Sequence, residues 1–320
     1  MGSRKSRTKT RSVNVLGKSK KKVINTTRKF RGMMCSPESN NSKLGGNIVP
    51  NSCYTPTILL RIRDMYNKNN PDGKIEGDDL HYIHTQLKER ITACNSEDCW
   101  LNQLSDKDRK YLDGRVFAPD KPKMWKTNPN MWLSNYDILD VISQYETAYK
   151  TFKFIGPTPM DFDTKLPEDN GRCVWNDMCG FSLKKYIDSG VTKVGIIFNM
   201  DKHDQSGSHW VSMFIDLVSC TIFYFDSAAN PTPPEIKTFV SRVKALGKEL
   251  RPAKTFKYTE NYPNSHQRGN TECGMYSLFF LITMLVENTK MPDRRKRALF
   301  KSGKISDKQV EQFRSIYYNT

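Results

Sequence analysis

Asn264-Ser265-His266-Gln267-Arg268-Gly269-Asn270-Thr271-Glu272-Cys273-Gly274-Met275-Tyr276-Ser277-Leu278-Phe279-Phe280-Leu281-Ile282-Thr283-Met284-Leu285-Val286-Glu287 reads as a polar loop running into a helix that is apolar nearly all round. A helix with no polar face belongs inside a core, so Glu272 to Glu287 is expected to be the central helix of the fold. Its apolar run, Leu278 to Val286, falls short of the roughly 20 residues that a bilayer crossing needs. Upstream lie the elements that could surround it. Val194 to Phe198, Trp210 to Leu217 and Thr221 to Phe225 are rich in β-branched and aromatic residues, with a turn near Val218-Ser219, and Thr255 to Tyr258 is a further strand candidate. Glu235 to Leu250 carries Ile236, Phe239, Val240, Val243 and Leu246 at helical spacing, and Ser134 can cap a helix bearing Ile138, Leu139, Ile142 and Tyr145 on one face. Helix, several strands, helix, strand and buried helix predict an α+β domain over residues 126–320.

Before residue 126 the texture is different. Ile58, Leu59, Ile62, Met65 and Tyr66, then Leu80, Ile83, Leu87 and Ile91, recur at three- and four-residue spacing on either side of the turn Asn69-Asn70-Pro71-Asp72-Gly73. Leu101 to Leu104 and Lys107 to Leu112 add short helical material, and Pro119, Pro122 and Pro129 mark a connector. The reading is a small helical N-terminal domain with its connector over residues 51–125, preceded by a basic disordered tail over 1–50, with order beginning near Cys53.

The chain has 320 residues, 37% hydrophobic and 27% charged, which excludes disordered, collagen-like and membrane-spanning classes for the whole. Of the net charge of +17, +12 comes from residues 1–37, which contain no acid, and +5 from the rest. The Lys and Arg of residues 4–31 suit contact with nucleic acid, an anionic membrane or an acidic partner, and equally a solvated tail. Met1-Gly2-Ser3-Arg4-Lys5-Ser6 fits the pattern for myristoylation of Gly2, for which the polybasic arm would be the second membrane signal. A second basic run, from Lys290 to Lys304, reads as solvated surface or nucleic-acid contact. Oligomeric state is not legible.

Eight cysteines in so long a chain, behind a basic N-terminus without an apolar signal core, predict a reducing compartment with thiols that pack, bind metal or react. Cys94 and Cys99 have a zinc-compatible spacing, Cys173 and Cys179 do not, and nothing brings the pairs together, so neither metal nor cofactor is expected.

Cys273 opens the central helix, where unpaired backbone N–H groups and the positive end of the helix dipole favour a thiolate. A nucleophile needs a base, and the five histidines are His81, His84, His203, His209 and His266. His81 and His84 fall in the N-terminal helices, and His203 and His266 in loops. His209 opens the strand Trp210 to Leu217, and Asp226 ends the next one, so a hairpin would bring imidazole and carboxylate together. The backbone N–H of Cys273 and the carboxamide of Gln267 or Asn270 are available as oxyanion donors. Each residue also has an ordinary reading: a small buried thiol, a capped strand end and the head of an Asx turn.

In this order, His209-Trp210, Tyr224-Phe225-Asp226-Ser227 and Gln267-x5-Cys273-Gly274 resemble the His-Trp, Asp-Ser and Gln-x5-Cys-Gly signatures of SUMO-specific and adenovirus-type cysteine proteases. Papain-like enzymes run Cys, His, Asn along the chain and are excluded by order. Trp132-Leu133-Ser134-Asn135 resembles the Trp-Leu-x-Asp segment that opens the SUMO-protease catalytic domain. A narrower resemblance is to the polyprotein-processing proteases of large cytoplasmic DNA viruses, as in African swine fever virus and its giant-virus relatives. It rests on Cys94-Asn95-Ser96-Glu97-Asp98-Cys99, Arg115-Val116-Phe117-Ala118-Pro119, Met160-Asp161-Phe162-Asp163 and Thr271-Glu272-Cys273-Gly274, and covers most of the chain beyond residue 52. The sequence departs from the wider family at Glu272, where SUMO proteases carry Asp, and from the swine fever enzyme at Asp226, where that protein resembles Asn.

The resemblance implies a SUMO-protease-type core with a central mixed sheet and a buried helix carrying the nucleophile. It implies a thiol endopeptidase that cuts after Gly-Gly-x motifs, with Cys273, His209 and Asp226 catalytic, Gln267 at the oxyanion, and Trp132 and Trp210 clamping an extended diglycine. The implied partner is a viral structural polyprotein processed during virion maturation, and the implied location is the virion and assembly sites in the host cytoplasm. Leu44-Gly45-Gly46-Asn47 raises removal of the enzyme's own arm after Gly46. Two other functions share parts of this reading. A deSUMOylating or deubiquitinating enzyme would use the same site on host conjugates, and a non-catalytic nucleic-acid or membrane-binding structural protein would need only the arm.

Overall fold

Side chains along Trp210–Asp216 alternate between two apolar clusters, Trp210 and Phe214 facing one and Val211, Met213 and Ile215 the other. A strand buried on both faces belongs in the middle of a covered sheet. The computed structural model describes residues 30–42, 49–112 and 114–319. In it this strand is third in a five-stranded sheet ordered β1 (Phe152–Pro159), β4 (Lys193–Asn199), β5 (Trp210–Asp216), β6 (Thr221–Phe225) and β7 (Lys257–Glu260). The β1–β4 and β6–β7 pairs are parallel and the two central pairs antiparallel, so the sheet is mixed. β2 (Lys165–Leu166) and β3 (Arg172–Cys173) form a separate two-stranded ribbon.

One face of the sheet is covered by α5 (Asn135–Ala148), α9 (Cys273–Leu285) and α10 (Asp293–Ser302), through Ile138, Ile142, Leu278, Leu281 and Phe300. The other is covered by α6 (Asn176–Cys179), α7 (Leu183–Asp188) and α8 (Pro234–Glu249), through Met178, Leu183, Ile236, Phe239 and Val243. α9 is the central helix that its composition predicts. Eleven of its residues are buried, Cys273 and Gly274 among them. Two short helices, α11 (Asp307–Glu311) and α12 (Arg314–Tyr317), lead back toward α5 and α9.

The strands expected at 194–198, 210–217 and 221–225 are present. β1 is not legible in the sequence, because Gly156-Pro157-Thr158-Pro159 reads as a breaker. The register shifts between Ile155 and Thr158, and Gly156 sits at φ +111° with a Cβ position only 2.6 Å from the Ile197 carbonyl oxygen. Only glycine allows that approach, so the residue that hides the strand is the one that lets it form.

Helices α1 (Pro37–Ser42), α2 (Pro56–Asn69), α3 (Leu80–Arg90) and α4 (Asp106–Leu112) surround a third cluster built on Ile62, Leu87 and Trp100. The expected disordered tail through residue 50 is corrected for residues 30–42. Phe30, Met33 and Cys35 pack on this cluster, and Ser39 bonds to the Cys53 carbonyl. Asn319 donates to the Ala118 carbonyl at 2.6 Å and accepts from the Met34 N–H at 2.6 Å, so the C-terminal segment ties this region to the sheet. The basic residues up to Lys29, the Gly2 pattern and the Gly46 site lie outside the described residues.

The expectation of free thiols is also corrected. Cys35 pairs with Cys53, Cys94 with Cys99 and Cys173 with Cys179, while Cys220 and Cys273 remain as thiols. Local chain reversals bring the Cα atoms of these pairs to 5.1, 6.3 and 6.3 Å, inside the range a bridge spans. Among the described residues no group of three or more His, Cys, Asp or Glu converges on a metal-sized site, and no helix is long and apolar enough to cross a membrane.

Candidate active site

The β5–β6 register sets Ser212 opposite Phe225, which makes His209 and Asp226 diagonal neighbours just beyond the paired ends. Their side chains meet, with His209 Nε2 2.7 Å from Asp226 Oδ1. Cys273 lies near enough for its sulfur to act on the imidazole and favour the protonated ring. Cys273 is the first residue of α9, which packs on β5, so one strand and one helix terminus bring thiol and imidazole together.

Asp226 is fully buried, and every carboxylate contact is a donor. Oδ1 accepts from His209 and from the Ala228 N–H at 2.8 Å, and Oδ2 accepts from the backbone and side-chain amides of Asn230 at 3.0 and 2.9 Å. The Asx turn of the ordinary reading is thus real, and it serves the histidine contact. Burial pushes the Asp226 carboxyl up, but the His209 hydrogen bond and charge, with the Ala228 and Asn230 donors, outweigh it and hold it below the usual carboxylate range. At His209 burial pulls the other way, disfavouring charge, and hydrogen bonds and charge from Asp226 and Cys273 overcome it, so the imidazole is pushed up to about 10. The site therefore keeps a proton on the histidine at neutral pH.

Gln267 sits beside this pair with its carboxamide oriented. Its Oε1 accepts from the Ser227 hydroxyl at 2.7 Å and its Nε2 donates to the Gly269 carbonyl at 2.8 Å, which leaves one N–H available. Asn270 is exposed in the same loop. Trp210 is buried and donates from Nε1 to the Leu133 carbonyl at 3.0 Å, while Trp132 is 39% exposed. Both tryptophans and His209 line a cleft of about 500 Å³ that continues past Thr158, Trp175 and Lys202. Gly274 packs behind two of its lining residues, since a Cβ there would lie 3.1 Å from Leu133 Cβ and 3.3 Å from Trp210 Cδ1. A larger groove of about 970 Å³ runs between Arg109, Arg115 and the α5 residues Asp140 and Gln144, and none of the candidate catalytic residues lines it.

Of the other four histidines His81 is exposed on α3 and three are occupied elsewhere. His84 bonds to Glu97 in the N-terminal cluster, His203 to Asp161, and His266 is buried against the Phe300 carbonyl, with burial lowering its pKa. Sequence reasoning missed Asn230, Asn261 and Arg314. Asn230 has a local signal, four residues after an Asp in a turn. Asn261 does not: it accepts from the Asp226 N–H at 2.9 Å and donates to its carbonyl at 2.7 Å from 35 residues away.

A cysteine at the head of a buried helix, a histidine–aspartate pair across a hairpin and a tryptophan-walled cleft form the arrangement of a cysteine protease site. The comparisons agree. Residues 191–320 match the model of the Ulp1 protease family, C-terminal catalytic domain, and the chain carries a Ulp1-type cysteine protease domain there. It is 28% identical over 264 residues to a putative thiol protease of Acanthamoeba polyphaga mimivirus, covering 73% of this chain and 80% of that protein. It is also 28% identical over 240 residues to the SUMO-1 cysteine protease of African swine fever virus, covering 71% of this chain and 84% of that protein. The fold is similar to the crystal structure of an African swine fever virus protease, with a TM-score of 0.58 at 20% identity over 91% of this chain and 97% of that one. The binding-protein reading is thereby set aside.

Proposed function

We propose that this protein is a thiol endopeptidase that cuts after Gly-Gly-x motifs in viral structural polyproteins during virion maturation, at assembly sites in the host cytoplasm. The observation that carries the reading is the His209–Asp226 contact at 2.7 Å with Cys273 beside the imidazole, at the end of a cleft walled by Trp132 and Trp210. A cleft bounded by two indoles suits residues without side chains, which is the physical reason to place Gly-Gly there. Cys273 Sγ bonds to the scissile carbonyl carbon, and the oxyanion accepts from the Cys273 backbone N–H and the free N–H of Gln267. The tetrahedral intermediate expels the amine, which takes the His209 proton. Water then attacks the thioester, giving its proton to His209 and releasing the acid. Asp226 keeps the imidazole oriented throughout and stabilises its charged form before the amine leaves and after water has returned the proton. Gln267 is the better oxyanion candidate than Asn270 because Ser227 fixes its amide.

Mass-spectrometric cleavage-site profiling on a peptide and polyprotein library tests this. Cuts after Gly-Gly-x are expected from wild type and from neither Cys273→Ala nor His209→Ala. Undiminished cutting by Cys273→Ala would defeat the reading. Deconjugation of SUMO or ubiquitin from host proteins is a second reading, favoured by the name SUMO-1 cysteine protease carried by the swine fever relative. Cleavage of a SUMO fusion much faster than a matched Gly-Gly-x peptide would select it.

A further inference from the structure

Arg314 lies 41 residues beyond Cys273 in sequence, yet it is buried at the base of the site, 7% exposed. Its guanidinium makes two hydrogen bonds to the equally buried Glu272, Nε to Oε2 at 3.1 Å and an NH2 group to Oε1 at 2.8 Å. Glu272 immediately precedes Cys273 and is the residue from which α9 starts. The remaining guanidinium nitrogen donates to the Met131 carbonyl at 3.1 Å, and the group lies over the Trp125 ring at 4.4 Å. Trp125 Nε1 donates to the same Met131 carbonyl at 3.1 Å. Two residues on, the Leu133 carbonyl is taken by Trp210 Nε1 at 3.0 Å, and the capping box of α5 holds Ser134. The segment that presents Trp132 is therefore pinned at both ends, and Arg314 is the group that joins one of those pins to the nucleophile's helix.

We propose that Arg314 is a positioning residue for catalysis, which fixes the Trp132 segment to Glu272 and so holds the substrate cleft in register with the Cys273 thiol. Its planar fork suits the task, because it can satisfy a carboxylate with two N–H groups and still turn a third toward a carbonyl. A lysine keeps the charge against Glu272 but cannot span both partners. The inference rests on reading Cys273 as nucleophile and Trp132 as a cleft wall, and it adds a residue that touches neither substrate nor thiol.

Arg314→Lys in the full chain is the test, assayed for kcat and KM on a Gly-Gly-x peptide and for alkylation of Cys273 by iodoacetamide without substrate. A misplaced cleft with an intact thiol should lower kcat/KM ~10- to 100-fold, mainly through KM, with the alkylation rate within ~3-fold of wild type. A KM like that of wild type overturns the proposal, and so does a loss of kcat/KM matched by an equal loss of alkylation rate. The double variant Glu272→Gln with Arg314→Met leaves no unpaired charge and separates positioning from charge balance. A thermal midpoint near that of wild type with KM still raised supports positioning. A return of KM to the wild-type value shows that Arg314 only neutralises Glu272, and overturns it. Wild-type cleavage that survives complete alkylation of Cys273 would defeat the nucleophile reading, and this proposal with it, through the wild-type protein alone.

Discussion

Replacing Asp226 by Asn removes one charge from the site while leaving nearly the same shape, and the structure fixes what should follow. Oδ1 keeps its partners, since a carboxamide oxygen still accepts from His209 Nε2–H and the Ala228 N–H. Oδ2 becomes an NH2 group facing the two Asn230 donors, at 3.0 and 2.9 Å in wild type. Asn230 can turn its amide and offer its oxygen, but its backbone N–H is left without an acceptor, at a cost of about 1–3 kcal/mol. The larger effect is on His209, which loses the charge that holds it near 10 and returns toward its ordinary 6.5. At pH 8 the imidazolium fraction then falls from about 99% to as little as about 3%, a drop of up to about 30-fold in the form that protonates the leaving amine. The alkaline limb of kcat/KM against pH should move from near 10 to well below it, and the His209 ring proton shift followed by NMR should move with it. Because the folded-state pKa of His209 is raised, the stability it contributes is complete below 6.5 and is lost as pH rises through about 10. The wild-type melting temperature should therefore fall more steeply than that of the variant across this window. An alkaline limb that stays near 10 in Asp226→Asn would refute the assignment of the His209 proton to the Asp226 charge.

The two tryptophans should separate cleanly by variant. Trp132→Ala, at a half-exposed position, is expected to raise KM about 10-fold with little change in melting temperature, whereas Trp210→Ala should cost about 3–5 kcal/mol in urea unfolding as well as activity. Gly274→Ala places a methyl 3.1 Å from Leu133 and 3.3 Å from Trp210, so about 1–3 kcal/mol of stability and most of the peptidase activity should be lost together, by thermal melt and peptide assay. Intact-mass measurement of wild type and Cys273→Ala after long incubation checks removal of the basic arm. Cleavage after Gly46 in wild type alone is expected, read under reducing conditions that open the Cys35–Cys53 bridge across that site, and identical full-length masses would sink it.

The parts of the site that the sequence exposes are those set by local periodicity. Glu272 to Glu287 is apolar on every side, so a buried helix follows, and Cys273 must stand at its head. His209 and Asp226 flank a hairpin whose turn is readable at Val218-Ser219, and antiparallel pairing then brings them together without further information. β1 is hidden because its glycine and prolines satisfy a constraint imposed by the neighbouring β4, which no window of the sequence contains. The same holds for the ordered residues 30–42, whose composition is that of a tail and whose order comes from Cys53, Ala118 and Asn319 far along the chain.

What remains illegible is the shell that holds the candidate catalytic groups, and the reason is chemical. Asn261 and Arg314 act by hydrogen-bonding to backbone atoms and to a carboxylate, and neither task demands a particular spacing from the residue served. Backbone carbonyls are present at every position, so a donor such as Arg314 can reach Met131 from anywhere that the fold delivers it, here 183 residues away. Burial then fixes the choice of donor. A carboxylate as enclosed as that of Glu272 must be paired, and an arginine paired to it with two N–H groups has further donors to place. The constraint that selects these residues is thus three-dimensional satisfaction of polar groups around a buried thiol. It becomes visible only when the strand, the helix and the C-terminal segment are assembled.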